Sequence, residues 1–345
     1  MSWMLEEIHQ QPDAVKLAMD AEMESVNRLS KVMHDREINH VLIAARGTSD
    51  HAATYAKYLI EIICGVPVTL AAPSVFTMYN CSMKLNHTLA LGISQSGQSE
   101  DVVQTLISAR AGGAVTACIT NEQNSPIAQA SDHVLLCHSG VEKSVAATKT
   151  YTCSLALVSL LTGIFSNCTE ILDELNTISA KMQTCLEIDS EVSKHVERYR
   201  YMQECAVLAR GINLSTALET ALKITETSYL VSRPFSGADF LHGPIAMITT
   251  GFPVIVFAPV GKAFESIYEL SETLNAKGAE LIIVSEKMNI LSLAQSPIKI
   301  PVNVHEYVSP LVYILFGQLW ACHLAISRGM DPDHPRGLNK VTNTR

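Results

Sequence analysis

The sequence predicts an α/β protein built from two similar domains, each with a parallel β-sheet covered by helices on both faces. Three observations predict this class: a length of 345 residues, short apolar runs that alternate with longer helical patterns, and landmarks that recur at one offset. At about 150 residues per domain, a chain of this length forms roughly two domains. Hydrophobic residues make up 48% of the chain and charged residues 17%, a composition that excludes disorder.

The first half of the chain alternates predicted strands with predicted helices. Residues 5–34 predict a leading helix. Five short runs of apolar residues come next, and each is followed by a helical pattern; these predicted strands are 39–45, 66–71, 88–93, 114–119 and 132–137. Strands that alternate with helices form a parallel sheet whose two faces are both covered.

The second half repeats the first at an offset of 164 residues. Arg46-Gly47 corresponds to Arg210-Gly211, and Gly97 corresponds to Gly261. Several landmarks at one offset predict a duplicated domain, although chance similarity between two βα units remains the alternative. The predicted segments are a helical segment 1–35, a first domain 36–166, a helical linker 167–203, a second domain 204–328 and a polar, extended tail 329–345.

Composition also restricts the classes of function. The net charge of −9 argues against a nucleic-acid-binding protein, which would show a basic face. The nine cysteines include no CxxC pair, so we expect reduced cysteines in the cytoplasm. We expect no metal or other cofactor, and the absence of a clustered Cys/His set agrees with this. The start of the chain has no signal-peptide pattern. The uncharged run 307–327 contains proline, glutamine and histidine, which predicts a buried core helix rather than a membrane span.

A hydroxyl-rich loop is the first candidate functional site. Residues 94–99, Ser-Gln-Ser-Gly-Gln-Ser, lie between the predicted strand 88–93 and a helix that begins at Glu100. Backbone N–H groups and the helix dipole favour an anion there, and parallel sheets bind ligands at the carboxyl ends of their strands. The alternative is an ordinary N-cap by Ser99.

Two further hydroxyl turns accompany this loop. They are Gly47-Thr48-Ser49 after the first predicted strand and 145–148, which opens a helix predicted to begin at Ala146. Neither GxxxxGK[ST] nor GxGxxG occurs, so the pattern favours a small phosphate ester over a nucleotide.

The second half contains the candidate catalytic residues. Lys223 and Glu226 are three residues apart and share one helix face. The alternative is a surface ion pair of little consequence. His242 precedes a Gly-Pro turn, where a structural histidine is the alternative.

These motifs resemble those of the sugar isomerase (SIS) family. The motifs 45–49 and 94–97, together with the tail 331–340, resemble the isomerase half of glucosamine-6-phosphate synthases and the stand-alone SIS-type glucosamine-6-phosphate deaminases, over nearly the whole chain. The resemblance implies two flavodoxin-like domains with five-stranded parallel sheets. It also implies a homodimer with shared active sites and a sugar phosphate as substrate.

The resemblance assigns roles to the candidate residues. Glu226 matches the carboxylate that moves a proton between C1 and C2 of the open sugar, and Lys223 matches the residue beside it. His242 matches the group that opens the sugar ring, which reaches the site from the partner subunit. Lys340 matches a lysine that forms a Schiff base with the open ketose; a solvated tail lysine is its alternative. The candidate substrate-binding residues are Gly47, Thr48, Ser49, Ser94, Gln95, Ser96, Ser99, Val145 and Ala146.

Two positions depart from the synthase pattern. Ser99 stands where the synthases have threonine, which keeps the hydroxyl group. Lys143-Ser144 replaces Ile-Gly after Glu142, and we expect Lys143 to add a charge near the sugar.

The start of the sequence suggests which reaction is catalysed. Synthases obtain ammonia from an N-terminal glutaminase domain with a cysteine nucleophile, whereas here position 2 is serine and only the segment 1–35 precedes the first predicted domain. We therefore expect deamination of glucosamine-6-phosphate to fructose-6-phosphate and ammonia. The alternatives are an isomerase or deaminase for galactosamine-6-phosphate, a deglycase for sugar–amine adducts, or a sugar-phosphate sensor without turnover.

Overall fold

The structure, a computed structural model, describes residues 2–340. These residues form two compact units. The N-terminal unit comprises 10–142, 147–176 and the described residues from Asn339, and the C-terminal unit comprises the described residues up to His9, 143–146 and 177–338.

The N-terminal unit is built on a five-stranded parallel sheet in the order β2-β1-β3-β4-β5. Its strands are β1 (His40–Ala44), β2 (Val68–Leu70), β3 (Thr88–Ile93), β4 (Val115–Thr120) and β5 (His133–Leu136). All residues of β3 and β4 are buried, as expected for central strands that helices cover on both faces. The five predicted strands are therefore confirmed.

Helices precede and connect these strands. The chain begins with α1 (Trp3–His9), which belongs to the C-terminal unit, and α2 (Gln11–Asp35). The helices that follow are α3 (Thr48–Cys64), α4 (Ser74–Thr77), α5 (Glu100–Ala111), α6 (Pro126–Gln129) and α7 (Lys149–Ser166). Helix α7 begins three residues later than the sequence predicted, because Val145 and Ala146 lie in an irregular segment before the N-cap Thr148.

The predicted linker is helical. It contains α8 (Thr169–Cys185) and α9 (Asp189–Val196). Their buried residues are mostly aliphatic and recur at the three- and four-residue spacing of an amphipathic helix, and they include Ile171, Leu175 and Ile178.

The C-terminal unit repeats the same sheet in the order β7-β6-β8-β9-β10. Its strands are β6 (Glu204–Ala209), β7 (Val231–Ser236), β8 (Pro253–Phe257), β9 (Glu280–Ser285) and β10 (Ser296–Lys299). Its helices are α10 (Leu214–Ser228), α11 (Gly237–Leu241), α12 (Phe264–Ala276), α13 (Met288–Leu291) and α14 (Ser309–Ser327). The first strands of the two sheets begin at His40 and Glu204, which are 164 residues apart, so the duplication is confirmed.

The uncharged helix α14 packs against α10 in the C-terminal unit. Among the described residues, the stretch Glu306–Ser327 is long and apolar enough to cross a membrane, and 89% of its apolar 18-residue window is buried inside the protein. This burial agrees with the core helix predicted from the sequence.

Candidate active site

The hydroxyl loop lies where the sequence predicted it, between the buried strand β3 and helix α5. Gly97 adopts a φ of +64°, and a Cβ atom there would lie 2.2 Å from the Ser125 hydroxyl, so only glycine fits this turn. The Gly97 N–H donates to Ser94 Oγ at 3.2 Å. Ser99 is the N-cap residue of α5, but within residues 94–111 its side chain makes no capping hydrogen bond and instead lies 3.4 Å from Ser94 Oγ. The Ser99 hydroxyl therefore does not serve as an ordinary cap.

The turn Gly47-Thr48-Ser49 lies beside this loop in the sheet order. It begins α3, and Gly47 has a φ of +56°. Strands β1 and β3 are hydrogen-bonded neighbours, so the turns that follow them emerge at the same edge of the sheet. The Arg46 guanidinium bonds the buried Asp101 carboxylate at 2.6 Å and thereby ties this turn to the first turn of α5. Two of the three predicted hydroxyl turns thus share one edge of the N-terminal unit.

An open cavity of about 580 Å³ adjoins the hydroxyl loop within the N-terminal unit. Its polar lining residues include Gln95, Ser96, Glu122, His138, Glu142 and Lys340. The structure therefore brings the predicted tail lysine to the same cavity as two residues of the hydroxyl loop. Sequence reasoning missed Glu142 as a site residue, although its carboxylate lies 3.0 Å from Lys340 Nζ. Two signals for it were present in the sequence, its position before the 145–148 turn and its match to the glutamate of the synthase pattern.

Helix α10 of the C-terminal unit carries a buried group of three charges. Lys223 Nζ lies 2.6 Å from Glu226 Oε2 and 3.3 Å from Glu219 Oε1. Lys223 and Glu219 are fully buried, whereas the Glu226 side chain is 22% exposed. The surface ion pair considered from spacing alone is therefore wrong for Lys223. Sequence reasoning missed Glu219, although its four-residue spacing before Lys223 placed it on the same helix face.

Burial and charge oppose each other at Lys223. Burial alone would lower the pKa of this ammonium, but the carboxylates of Glu219 and Glu226 raise it well above its ordinary value. The lysine therefore stays protonated at every physiological pH. A permanent positive charge 2.6 Å from Glu226 fixes the position of that carboxylate.

His242 follows α11 on the surface of the C-terminal unit. Its side chain is exposed. Its backbone N–H donates to the Asp239 carbonyl at 3.1 Å, and the next residue, Gly243, has a φ of +137°. An exposed imidazole at a tight turn is accessible to a second molecule.

Val145 and Ala146 belong to a short segment of the C-terminal unit that Glu7 and Asp333 hold in place. The Glu7 carboxylate accepts the Lys143 N–H at 2.5 Å, and the Val145 N–H donates to the Asp333 carbonyl at 3.2 Å. The Lys143 ammonium lies 5.6 Å from the centre of the Trp3 ring, so its charge is engaged by an aromatic face.

The loop after β8 is the counterpart of the hydroxyl loop, but the carboxylates of Glu286 and Glu306 accept hydrogen bonds from its backbone N–H groups. Val260 N–H donates to Glu286 Oε1 at 3.2 Å, and Lys262 N–H donates to Glu306 Oε2 at 2.9 Å. A Cβ atom on Gly261 would lie 2.3 Å from Glu306 Cδ, so the carboxyl group sits directly against the glycine. The chain's own anions thus occupy backbone donors of the second loop.

We therefore expect each chain to bind one phosphate ester. Isothermal titration with inorganic phosphate should give a stoichiometry of one for the wild type, and Glu306→Ala should add a second, weaker site because it frees a loop N–H. Unchanged affinity at the first site would show that the variant is folded. A stoichiometry of two in the wild type, or of one in the variant, would contradict this prediction.

Within residues 2–340, no group of three or more His, Cys, Asp or Glu side chains could hold a metal ion. A hydroxyl loop at the end of a strand and a parallel sheet that is repeated in the second unit are the features of a tandem SIS-domain protein. The SIS domain pattern matches residues 36–163 and 203–328, so the chain belongs to the SIS family.

Comparison with known proteins shows what the chain is similar to. It is 32% identical over 343 residues to glutamine–fructose-6-phosphate aminotransferase (isomerizing) from Pyrococcus horikoshii, covering 98% of this chain and 57% of that protein. The chain thus spans little more than half the length of this relative. The C-terminal domain of glucosamine-fructose-6-phosphate aminotransferase from Francisella tularensis superposes with a TM-score of 0.87 at 27% identity, covering 97% of this chain and 98% of that domain.

A third comparison supports the fold alone. The structure of glucosamine-6-phosphate deaminase from Thermotoga maritima matches with a TM-score of 0.80 at 22% identity, covering 99% of this chain and all of that one. The first two comparisons, at 32% and 27% identity, show that the chain is a homologue of the isomerase half of the aminotransferase.

Proposed function

We propose that this protein is an SIS-type deaminase that converts glucosamine-6-phosphate to fructose-6-phosphate and ammonia. In this proposal the hydroxyl loop and the Gly47-Thr48-Ser49 turn bind the phosphate and sugar hydroxyl groups, and the backbone at Val145 and Ala146 lines the sugar site. His242 opens the ring, Glu226 moves a proton between C1 and C2, and water hydrolyses the resulting C2 imine. The Lys340 amine condenses reversibly with the C2 ketone of the open fructose-6-phosphate, which releases one water, and addition of water to this Schiff base frees the ketose again.

The observation that carries the proposal is the charge group on α10. Glu226 is partly exposed and can reach a ligand, while its Oε2 is held at 2.6 Å by a lysine that is fully buried. Proton transfer between adjacent carbons needs such a carboxylate held in one place and open on one side. A protein that only sensed sugar phosphates would not need this arrangement.

Mass action would favour deamination wherever free ammonia is scarce. The reaction is reversible in principle, and loss of ammonia to the surroundings draws the imine towards ketose and ammonia. The proposed direction therefore applies to reaction at a low concentration of free ammonia.

Ammonia release from glucosamine-6-phosphate by the purified protein tests this proposal, with Glu226→Gln measured in parallel. Release by the wild type that is lost in the variant supports the deaminase. Ammonia release from galactosamine-6-phosphate but not from glucosamine-6-phosphate would make galactosamine-6-phosphate the substrate. No release from either, and no reaction of fructose-6-phosphate with ammonia, would favour a deglycase or a sensor.

We also propose a cytoplasmic homodimer in which His242 acts in the partner's site. Subunit mixing tests the shared site: Glu226→Gln and His242→Asn should each be inactive, and an equimolar mixture should recover about a quarter of wild-type activity, because half of the dimers are mixed and each has one complete site. No recovery after verified subunit exchange would place His242 and Glu226 of one chain in one site.

The domain boundaries predicted from the sequence complete the proposal. The segments 36–166 and 204–328 would act as the two SIS domains, the segments 1–35 and 167–203 as helical additions, and the tail 329–345 as a contributor to the active site. Its residues 341–345 lie outside the described part of the chain.

A further inference from the structure

The carboxylate of Glu142 gathers hydrogen bonds from several parts of the N-terminal unit. Its Oε1 accepts the backbone N–H groups of Thr148 at 2.8 Å and Thr150 at 3.3 Å. Its Oε2 accepts Gln95 Nε2 at 2.8 Å, the Thr150 hydroxyl at 3.0 Å and Lys340 Nζ at 3.0 Å. One side chain therefore connects the hydroxyl loop, the start of α7 and the C-terminal tail.

Glu142 is ionised despite its complete burial. Burial by itself would raise the pKa of this carboxyl, but the Lys340 ammonium and the backbone N–H groups of Thr148 and Thr150 lower it below its ordinary value. A buried carboxylate requires a compensating positive charge. The Lys340 ammonium lies within hydrogen-bond distance of Oε2 and supplies it.

The same oxygen atom also links Lys340 to the hydroxyl loop. Gln95 Nε2 and Lys340 Nζ both donate to Glu142 Oε2, and all three residues line the cavity of about 580 Å³. A lysine in a polar tail has many rotamers and would otherwise lose them only when a ligand binds. With Glu142 in place, the ammonium is held at the cavity wall before a ligand arrives, and its side chain remains 26% exposed.

We propose that Glu142 is a positioning residue whose buried carboxylate docks the C-terminal tail and holds the Lys340 amino group at the cavity beside the hydroxyl loop. The role of Lys340 in Schiff-base formation rests on the proposed function, whereas its docking by Glu142 does not. Lys340 and the hydroxyl loop are thus coupled through one carboxylate.

Chemical labelling of Lys340 tests the docking directly. Intact protein is treated with formaldehyde and dimethylamine-borane near neutral pH, and the methylation rate of each lysine is followed by peptide mass spectrometry. Loss of a hydrogen bond between charged groups changes an equilibrium by about tenfold or more. We therefore expect Lys340 to be methylated about ten times faster in Glu142→Gln than in the wild type, with the other lysines unchanged.

Two further variants sharpen the result. Glu280→Gln removes another carboxylate from an ion pair, the one with Arg198, and should leave the Lys340 rate at its wild-type value. Glu142→Asp keeps the charge but is shorter, so it should give an intermediate rate. If Glu142→Gln does not fold, the Lys340 methylation rate in Glu142→Asp is compared with the wild-type rate instead. Equal Lys340 rates in the wild type and in the folded Glu142 variants would overturn the proposal.

A separate experiment distinguishes failure of the proposed function from failure of the docking. Borohydride reduction in the presence of fructose-6-phosphate should attach the sugar to Lys340 in the wild type, because reduction makes a Schiff base permanent. If no adduct forms while Glu142→Gln still accelerates methylation, the Schiff-base role is wrong and the docking by Glu142 stands.

Discussion

Replacement of Glu226 by glutamine is expected to slow ammonia release from glucosamine-6-phosphate by about 10²- to 10⁴-fold, the usual contribution of a positioned general acid–base group. Glutamine has nearly the same shape but cannot accept and return a proton between C1 and C2. Since Lys223 and Glu219 stay in place, we expect a lower kcat with little change in KM. Steady-state kinetics with a coupled ammonia assay provides the measurement.

Glu269→Gln is the matched control because Glu269 is an exposed carboxylate on α12 of the same unit. It should retain wild-type kinetics. If Glu226→Gln kept full activity, proton transfer would have to be assigned to another group, and the proposed mechanism would be wrong.

Replacement of Lys223 by methionine is expected to lower the free energy of unfolding by about 3–5 kcal/mol, the range for removal of one partner from a buried ion pair. Glu219 is fully buried and would lose the cation 3.3 Å from its carboxylate. Guanidinium denaturation followed by circular dichroism measures the effect. The double variant Lys223→Met/Glu219→Gln should be less destabilised than Lys223→Met, because it also removes the buried negative charge.

The contribution of Lys223 to stability should also depend on pH in one direction. Its pKa is raised in the folded protein, so its stabilising effect is fully present below the unfolded pKa of about 10.4 and is lost as pH rises through the higher folded value. The stability difference between the wild type and Lys223→Met should therefore be constant from about pH 6 to 9 and shrink at more alkaline pH. A difference that grew with alkaline pH would contradict the assignment of the charge to Lys223.

The alternation of strands and helices was readable because each element carries its own local pattern. All six residues of strand β3 are buried, and the five from Leu89 to Ile93 form a continuous apolar run, which is what a central parallel strand requires. The offset of 164 residues aligns Arg46-Gly47 with Arg210-Gly211. The two sheets also have equivalent strand orders. The start of α7 was misplaced because a hydroxyl-rich turn and a first helical turn look alike in sequence.

The candidate site was only partly readable. Serines between a strand and a helix indicated the hydroxyl loop. The three-residue spacing of Lys223 and Glu226 indicated that they share a helix face. Glu219 carried a similar spacing signal, four residues before Lys223, but nothing in the sequence showed that Glu219 or Glu142 is completely buried. Their importance comes from complete burial beside a lysine, and burial depends on how distant segments pack.

The sequence by itself determined the α/β class, the duplication and the position of the hydroxyl loop, because hydrophobic period, repeated landmarks and turn residues are local properties of the chain. Only the tertiary structure decided which carboxylates face a buried cation and which loop remains open to an anion. The glutamates 142 and 306 occupy equivalent positions of the repeat, yet one pairs with Lys340 and the other fills the second loop. Electrostatic partners are chosen by distance and burial in three dimensions, and residues such as Glu142 and Lys340 are brought together across 198 positions of sequence.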